Sequence, residues 1–275
     1  MEQITTFVFP ICRRGFILNA LKTLKEHTPY AYSVIVIDQT IPDAAFEAEL
    51  REHCDLWIKT RKNYGFAEAV NFGLRLAPTP FITVMNDDVV FIPNPYPNGW
   101  FQGILQTFHK YTTAAAVSPM SPREPGWGYG KEGFIEYLTF EESQDAENVK
   151  RLMDEKNGQM IDGITCWGVT FRADYLAEIG LFDERFIWGG GEDYDWGAMC
   201  YLKGYRALAT SKSWVYHWWG QSKDEPDGLD EALPLARPYW NKLNVLWPSG
   251  YDQWGKDPET QEPLRRLPEI ARMPL

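Results

Sequence analysis

FITVMNDDVVF, residues 81–91, begins as an apolar run and turns acidic at Asn86, Asp87 and Asp88. A short run of Phe, Ile, Val and Met reads as a buried strand. SVIVIDQT (33–40) has the same form and stops at Asp38. Between them the spacing predicts a helix carrying Phe46 and Leu50, a short strand over 55–59, and a helix over 66–77 (FAEAVNFGLRLA) ended by Pro78. Upstream, ITTFVFPI (4–11) reads as a strand interrupted near Pro10, and residues 15–27 as a helix ended by Pro29. Strands and helices therefore alternate, and the strands are apolar almost throughout. That pattern predicts an α/β fold, a Rossmann-like and mostly parallel central sheet flanked by helices on both faces. Such sheets gather functional residues at the carboxyl ends of their strands. Asp38 and the Asp87–Asp88 pair both fall there.

The remaining chain is predicted as a helix near 99–110, a strand near 114–118, a Pro/Gly loop and a charged helix over 141–156. A strand over 161–171, helices over 173–179 and 192–203, and two short strands, RALAT and SWVYHW, follow. Beyond Lys223 the composition shifts to Asp, Glu, Pro and Trp, which predicts an irregular extension packed on the domain. The expected organisation is one domain over 1–222, with a nucleotide-binding half (1–92) and an acceptor-side half (93–222), and an extension over 223–275.

Bulk composition narrows the function classes. The chain has 275 residues, 44% of them hydrophobic, which suits a large core and excludes wholesale disorder. A net charge of −11 argues against affinity for bulk nucleic acid, which needs Lys and Arg against phosphate. The four cysteines form no CxxC pair, so they read as reduced, structural thiols. No stretch of roughly 18 apolar residues suggests a transmembrane anchor, and no signal peptide is visible, so a soluble cytoplasmic protein is expected. Twelve residues are tryptophan, and most lie at or after Trp167.

Four constellations carry candidate chemistry. Asp87 and Asp88 end a buried strand, where a hard divalent cation such as Mg²⁺ or Mn²⁺ would neutralise them. A helix N-cap or solvated turn is the plainer alternative. Gly189-Gly190-Gly191-Glu192-Asp193-Tyr194-Asp195 offers close backbone approach and acids at a helix start. An ordinary capped helix after a loop fits equally. Asp193 and Asp195 cannot face the same way on a helix, so only one of them is free for chemistry. His217 lies in the aromatic run Trp214–Trp219, where imidazole is compatible with Mn²⁺ beside carboxylates, although a lone histidine is more often structural than a ligand. Asn63-Tyr64-Gly65-Phe66 and Asn71 precede or open a helix, which suits a nucleotide or simply a turn and a cap.

In this order the motifs VIVIDQT, NYGFAEAVNFGLRLA, MNDDVVF, ITCWGVTFRADYLAEIGLFDERFIWGGGEDYDW and VYHWWGQS resemble the family 2 glycosyltransferases of GT-A fold. The rhamnosyltransferase-like and galactofuranosyltransferase-like branches look most similar. The resemblance spans residues 4–222. It implies Asp38, Asn63, Gly65, Asn71, Asp87 and Ser222 on the nucleotide sugar, and Asp88 and His217 on the metal, Mn²⁺ or Mg²⁺. It implies Asp193 as general base, with Glu192, Trp167, Gly168 and Trp188 on the acceptor side. Asn86 stands where the family's Asp-x-Asp motif has its first acid. The implied reaction is inverting transfer from a UDP- or dTDP-linked sugar to a hydroxyl of a glycan, protein or other acceptor. A glycoside hydrolase, which also uses two carboxylates, and a non-catalytic carbohydrate-binding protein are the competing classes.

Overall fold

The computed structural model describes residues 3–125, 134–156, 160–162, 164–184, 186 and 192–219. The first half contains β1 (Thr5–Ile11), α1 (Ile17–His27), β2 (Tyr32–Asp38), α2 (Ala44–Arg51), β3 (Leu56–Lys59), α3 (Phe66–Leu76), β4 (Phe81–Met85) and β5 (Val89–Val90). The second half contains α4 (Phe101–Lys110), β6 (Ala114–Met120), β7 (Arg123–Pro125), β8 (Phe134–Glu136), α5 (Ala146–Lys156) and β9 (Met160–Asp162). It continues with β10 (Gly168–Arg172), α6 (Ala173–Ile179), α7 (Glu192–Leu202), β11 (Arg206–Trp214) and β12 (Tyr216–His217). One eight-stranded sheet, ordered β3-β2-β1-β4-β10-β6-β11-β9, runs through both halves. The extension over 223–275 lies outside the described residues. No helix among the described residues is long and apolar enough to cross a membrane.

The alternation along β1 explains the two layers. Phe7, Phe9 and Ile11 pack with α1 and α4 on one face, while Val8 packs with α3 on the other. A strand buried on both faces gains from apolar residues at every position. Two glycines set how closely helices approach. A Cβ on Gly73 of α3 would lie 2.2 Å from Val8 Cγ1. A Cβ on Gly103 of α4 would lie 2.1 Å from the Lys212 carbonyl oxygen of β11. Backbone cannot swing aside as a side chain can, so Gly103→Ala is expected to cost about 1–3 kcal/mol by overpacking. Chemical denaturation measures it; an unchanged midpoint would show that α4 is free to shift.

The sheet is mostly parallel, as expected, but not wholly. β1 pairs in parallel with β2 and β4, β2 with β3, and β6 with β11. β10 enters antiparallel between β4 and β6, and β9 is antiparallel at the far edge. β1 continues past Pro10 to Ile11 instead of breaking there. Its pairing with β4 stops at Val8, so Pro10 sits where the strand has a neighbour on one side only.

Four expected strands are divided differently. The segment 81–91 splits into β4 and β5, because the acids at 87 and 88 must turn out of an apolar sheet. The segment 161–171 splits into β9 and β10, which frees Cys166 and Trp167 from the ladder. Conversely, RALAT and the start of SWVYHW form the single strand β11. A register shift between Thr210 and Trp214 absorbs the irregularity as a bulge does.

Candidate functional site

The turn after β4 brings together acids and a histidine 129 residues apart in sequence. The backbone N–H of Asn86 donates to the Trp167 carbonyl at 2.8 Å. Val89 and Val90 then pair antiparallel with His217 and Tyr216. This small second sheet sets His217 Nε2 2.9 Å from Asp88 Oδ1, both side chains being buried. The Trp218 N–H donates to the Asp88 carbonyl at 3.0 Å, and the His217 N–H to Ser121 Oγ at 3.1 Å. The Trp167 ring stacks on the imidazole, centroids 4.8 Å apart, and Trp219 lies 4.2 Å away on a tilt. His217 Nδ1 is buried and accepts or donates no hydrogen bond among the described residues.

Asp87 and Arg13 add unmatched charge beside this pair. Asp87 Oδ2 is buried without a partner among the described residues, and so are Nε and Nη2 of Arg13, just beyond the carboxyl end of β1. Burial foremost, and then the neighbouring Asp88 charge, push the Asp87 carboxyl up to about 7, against the pull of Arg13. Buried polar atoms are nearly always satisfied. Orphaned acceptors and orphaned donors side by side fit an occupant with both a cationic and an anionic part, as a metal-bound diphosphate has. The donor set of carboxylate and imidazole suits Mn²⁺, while the carboxylate oxygens alone would also suit Mg²⁺.

The raised carboxyl has a signed consequence for stability. Folded Asp87 keeps its proton up to about 7, whereas the unfolded residue loses it near 3.8. The folded state therefore binds more protons in between, and this contribution is full below 3.8 and is lost as pH rises through about 7. In chelator-treated protein, Asp87→Asn is expected to melt several degrees above wild type at pH 8 and level with it at pH 4. An equal difference at both pH values would refute the raised carboxyl.

The residues assigned to the nucleotide side are tied largely to the protein itself. Asp38 is fully buried. Its Oδ1 accepts from the Thr40 N–H at 2.8 Å, and its Oδ2 accepts from Trp57 Nε1 and Lys59 Nζ, each at 3.1 Å. Asn63 Oδ1 accepts from the Gly65 N–H at 2.8 Å. Gly65 has φ +89° at the start of α3, a left-handed conformation that glycine adopts without strain. Gln39, which sequence reasoning passed over, clamps this loop. It accepts from the Tyr64 N–H at 2.8 Å and donates to the Gly65 carbonyl at 3.2 Å. Its place right after the strand-end Asp38 was the available signal. Asn71 is buried and reaches across to the second half. It donates to the Phe182 carbonyl at 2.9 Å and to Glu184 at 3.0 Å, and accepts from the Phe182 N–H at 3.1 Å.

Among the residues assigned to the acceptor, α7 opens with Glu192 and Asp193, followed by Asp195. Glu192 and Asp195 are buried, while Asp193 is more open. Asp193 accepts from the Tyr194 N–H at 2.9 Å and, at 3.4 Å, from the Cys166 N–H. Consecutive residues thus join the two centres: Cys166 touches Asp193, and Trp167 stacks on His217. Gly168 opens β10, where a Cβ would meet Met85 Sδ at 3.0 Å. Trp196 is core: it packs edge-on against Phe171 at 4.9 Å and donates to the Gly180 carbonyl. Trp188, the triple glycine at 189–191 and Ser222 lie outside the described residues.

Comparisons with known proteins agree with this architecture. The family model of "Glycosyl transferase family 2" matches residues 6–175. No curated protein matches the sequence. Among solved structures, GalNAc-T7 with UDP, GalNAc and Mn²⁺ superposes with TM-score 0.61 at 15% identity, covering 92% of this chain and 49% of its own. The mannosyltransferase PcManGT of Pyrobaculum calidifontis, in complex with GDP-Man and Mn²⁺, gives 0.55 at 17% identity, covering 81% and 59%. S. aureus TarS 1-349 gives 0.51 at 13% identity, covering 78% and 60%. The chain therefore spans about half to three-fifths of these structures. At such identities the likeness is one of fold.

Proposed function

This chain belongs to the family 2 glycosyl transferases, and from that premise we propose that it moves a sugar from a nucleoside-diphosphate sugar to an acceptor hydroxyl in a single inverting displacement. The observation that carries this reading is the Cys166–Trp167 junction. It links one partly exposed carboxylate, Asp193, through two consecutive residues to a buried Asp88–His217 pair, beside which atoms of Asp87 and Arg13 lack partners among the described residues.

In this reading Asp88 and His217 hold a divalent cation, Mn²⁺ or Mg²⁺, and Asp87 faces the donor beside it. When bound, the cation supplies Lewis-acid stabilisation for the negative charge that grows on the leaving diphosphate. Arg13 directs its two orphaned N–H groups at that same charge, and a charge-assisted hydrogen bond there is worth more than a neutral one. Gln39 and Asn63 hold the loop at Gly65 in the shape that meets the nucleotide, and Asp38 braces Lys59 and Trp57 behind it. Asp193 takes the proton of the acceptor hydroxyl as that oxygen attacks the anomeric carbon. Asn71 ties α3 to the 182–184 segment of the second half. Trp167 offers an aromatic wall between donor and acceptor, with Glu192 and Trp188 on the acceptor's side.

The donor is proposed to carry UDP or dTDP, and the acceptor to be a glycan, protein side chain or other hydroxyl compound. A panel of nucleotide sugars tests the reading by thermal unfolding with and without Mn²⁺. A ligand that binds the folded state raises the midpoint by mass action. At least one nucleotide sugar should do so only with Mn²⁺, and Arg13→Gln should remove most of the shift. No shift with any nucleotide, with or without metal, would overturn the proposal. Sugar released to water at the rate of transfer would point to the hydrolase instead.

A further inference from the structure

We propose a second cation site, separate from Asp88 and His217, in which the sulfur of Cys166 and carboxylate oxygens of Glu192 and Asp193 hold one thiophilic divalent ion such as Zn²⁺. One ligand atom from each of these residues lies within 4.8 Å of the others, close enough to surround a single ion. Cys166 is 4% exposed, forms no disulfide, and its sulfur makes no hydrogen bond among the described residues. A buried thiol with no partner, facing two carboxylates, is an unfilled ligand position. Asp193 is the more open member, so it marks the side from which an ion enters.

Ligand chemistry separates this site from the first. Thiolate selects zinc and softer ions, whereas imidazole with carboxylate also serves Mn²⁺, and Mg²⁺ favours oxygen. Burial, and after it the charges of Asp193 and Glu192, hold the thiol well above its ordinary range, so Cys166 stays protonated while the site is empty. On binding, the S–H bond breaks, the sulfur–metal bond forms, and the proton passes to solvent. Zinc there would also occupy the oxygens of the proposed base and inhibit transfer. That consequence rests on the assignment of Asp193, whereas the site itself does not.

The test uses the full chain and Cd²⁺ or Co²⁺ as a probe, because a thiolate bound to either ion gives a charge-transfer absorption that needs no turnover. Wild type should develop the band on titration and release about one proton per ion. Cys166→Ser should lose the band, while Cys54→Ser and His217→Ala should keep it. Glu192→Gln retains the thiol and should weaken the ion by at least ~10-fold, the lower end of what a lost supporting group costs. It keeps the test open should Cys166→Ser not fold. Absence of the band in wild type would overturn the site. So would its persistence in Cys166→Ser, its loss in His217→Ala, or unchanged affinity in Glu192→Gln. None of these outcomes bears on transfer measured in zinc-free buffer, so the two proposals fail separately.

Discussion

Asp193→Asn is expected to lower transfer by about 10²–10⁴-fold, the usual contribution of a positioned general base. The amide is nearly the same shape as the carboxylate. Its oxygen can still accept from the Tyr194 or Cys166 N–H groups that hold Asp193 now. Shape and one of these two backbone contacts are therefore kept while proton acceptance is lost. An acceptor hydroxyl is a weak nucleophile at neutral pH, so the whole loss should fall on kcat. Donor affinity, read as the nucleotide-dependent rise in melting midpoint, should stay level with wild type. Near wild-type transfer in a variant that still binds donor would remove Asp193 from the role of base. A parallel fall in donor affinity would show instead that the residue shapes the donor pocket.

Asp88→Asn is expected to weaken the divalent cation by at least ~10–100-fold and transfer by about 10²–10³-fold, the scale of losing one electrostatic contact to the developing charge. The substitution separates charge from packing. An Asn oxygen still accepts from His217 Nε2 across the present 2.9 Å, so the melting midpoint should hold. Asp88→Ala should behave differently. With His217 Nδ1 already lacking a partner among the described residues, it leaves both ring nitrogens buried without one there, which costs about 1–3 kcal/mol more. Measuring transfer against Mn²⁺ concentration decides the matter. An unchanged metal requirement in Asp88→Asn would place the cation elsewhere.

Particular residues show how far the sequence could be read. The runs at 5–11, 32–38 and 81–85 are strands because a strand covered on both faces is apolar along most of its length, its few buried hydroxyls pairing with one another. That same uniformity hides direction. Gly168–Arg172 has the pattern of a parallel core strand, yet it runs antiparallel between β4 and β6. Asn71 shows a similar limit at the site. Its helix was legible, but its hydrogen bonds go to Phe182 and Glu184, 111 and 113 residues away, and nothing local announces them. In the sequence Arg13, with Arg14 and Gly15, gives only a slight hint of a basic loop for nucleotide phosphates after the first strand. Its meaning came from burial beside Asp87.

The sequence by itself determined the alternation of strands and helices, and placed Asp38, Asp87 and Asp88 at strand ends, since hydrophobic periodicity and the cost of burying acids are local properties. It also supplied the order of motifs by which the family is known. Only the tertiary structure decided which of these groups meet. The pairing of β5 with β12 brought Asp88 to His217, and the break between β9 and β10 set Cys166 against Asp193 and Trp167 against His217. Such meetings depend on strand order and register, which the whole sheet fixes and no single segment encodes. The indoles divide by the same rule: Trp196 and Trp214 fill core, while Trp167 covers the histidine.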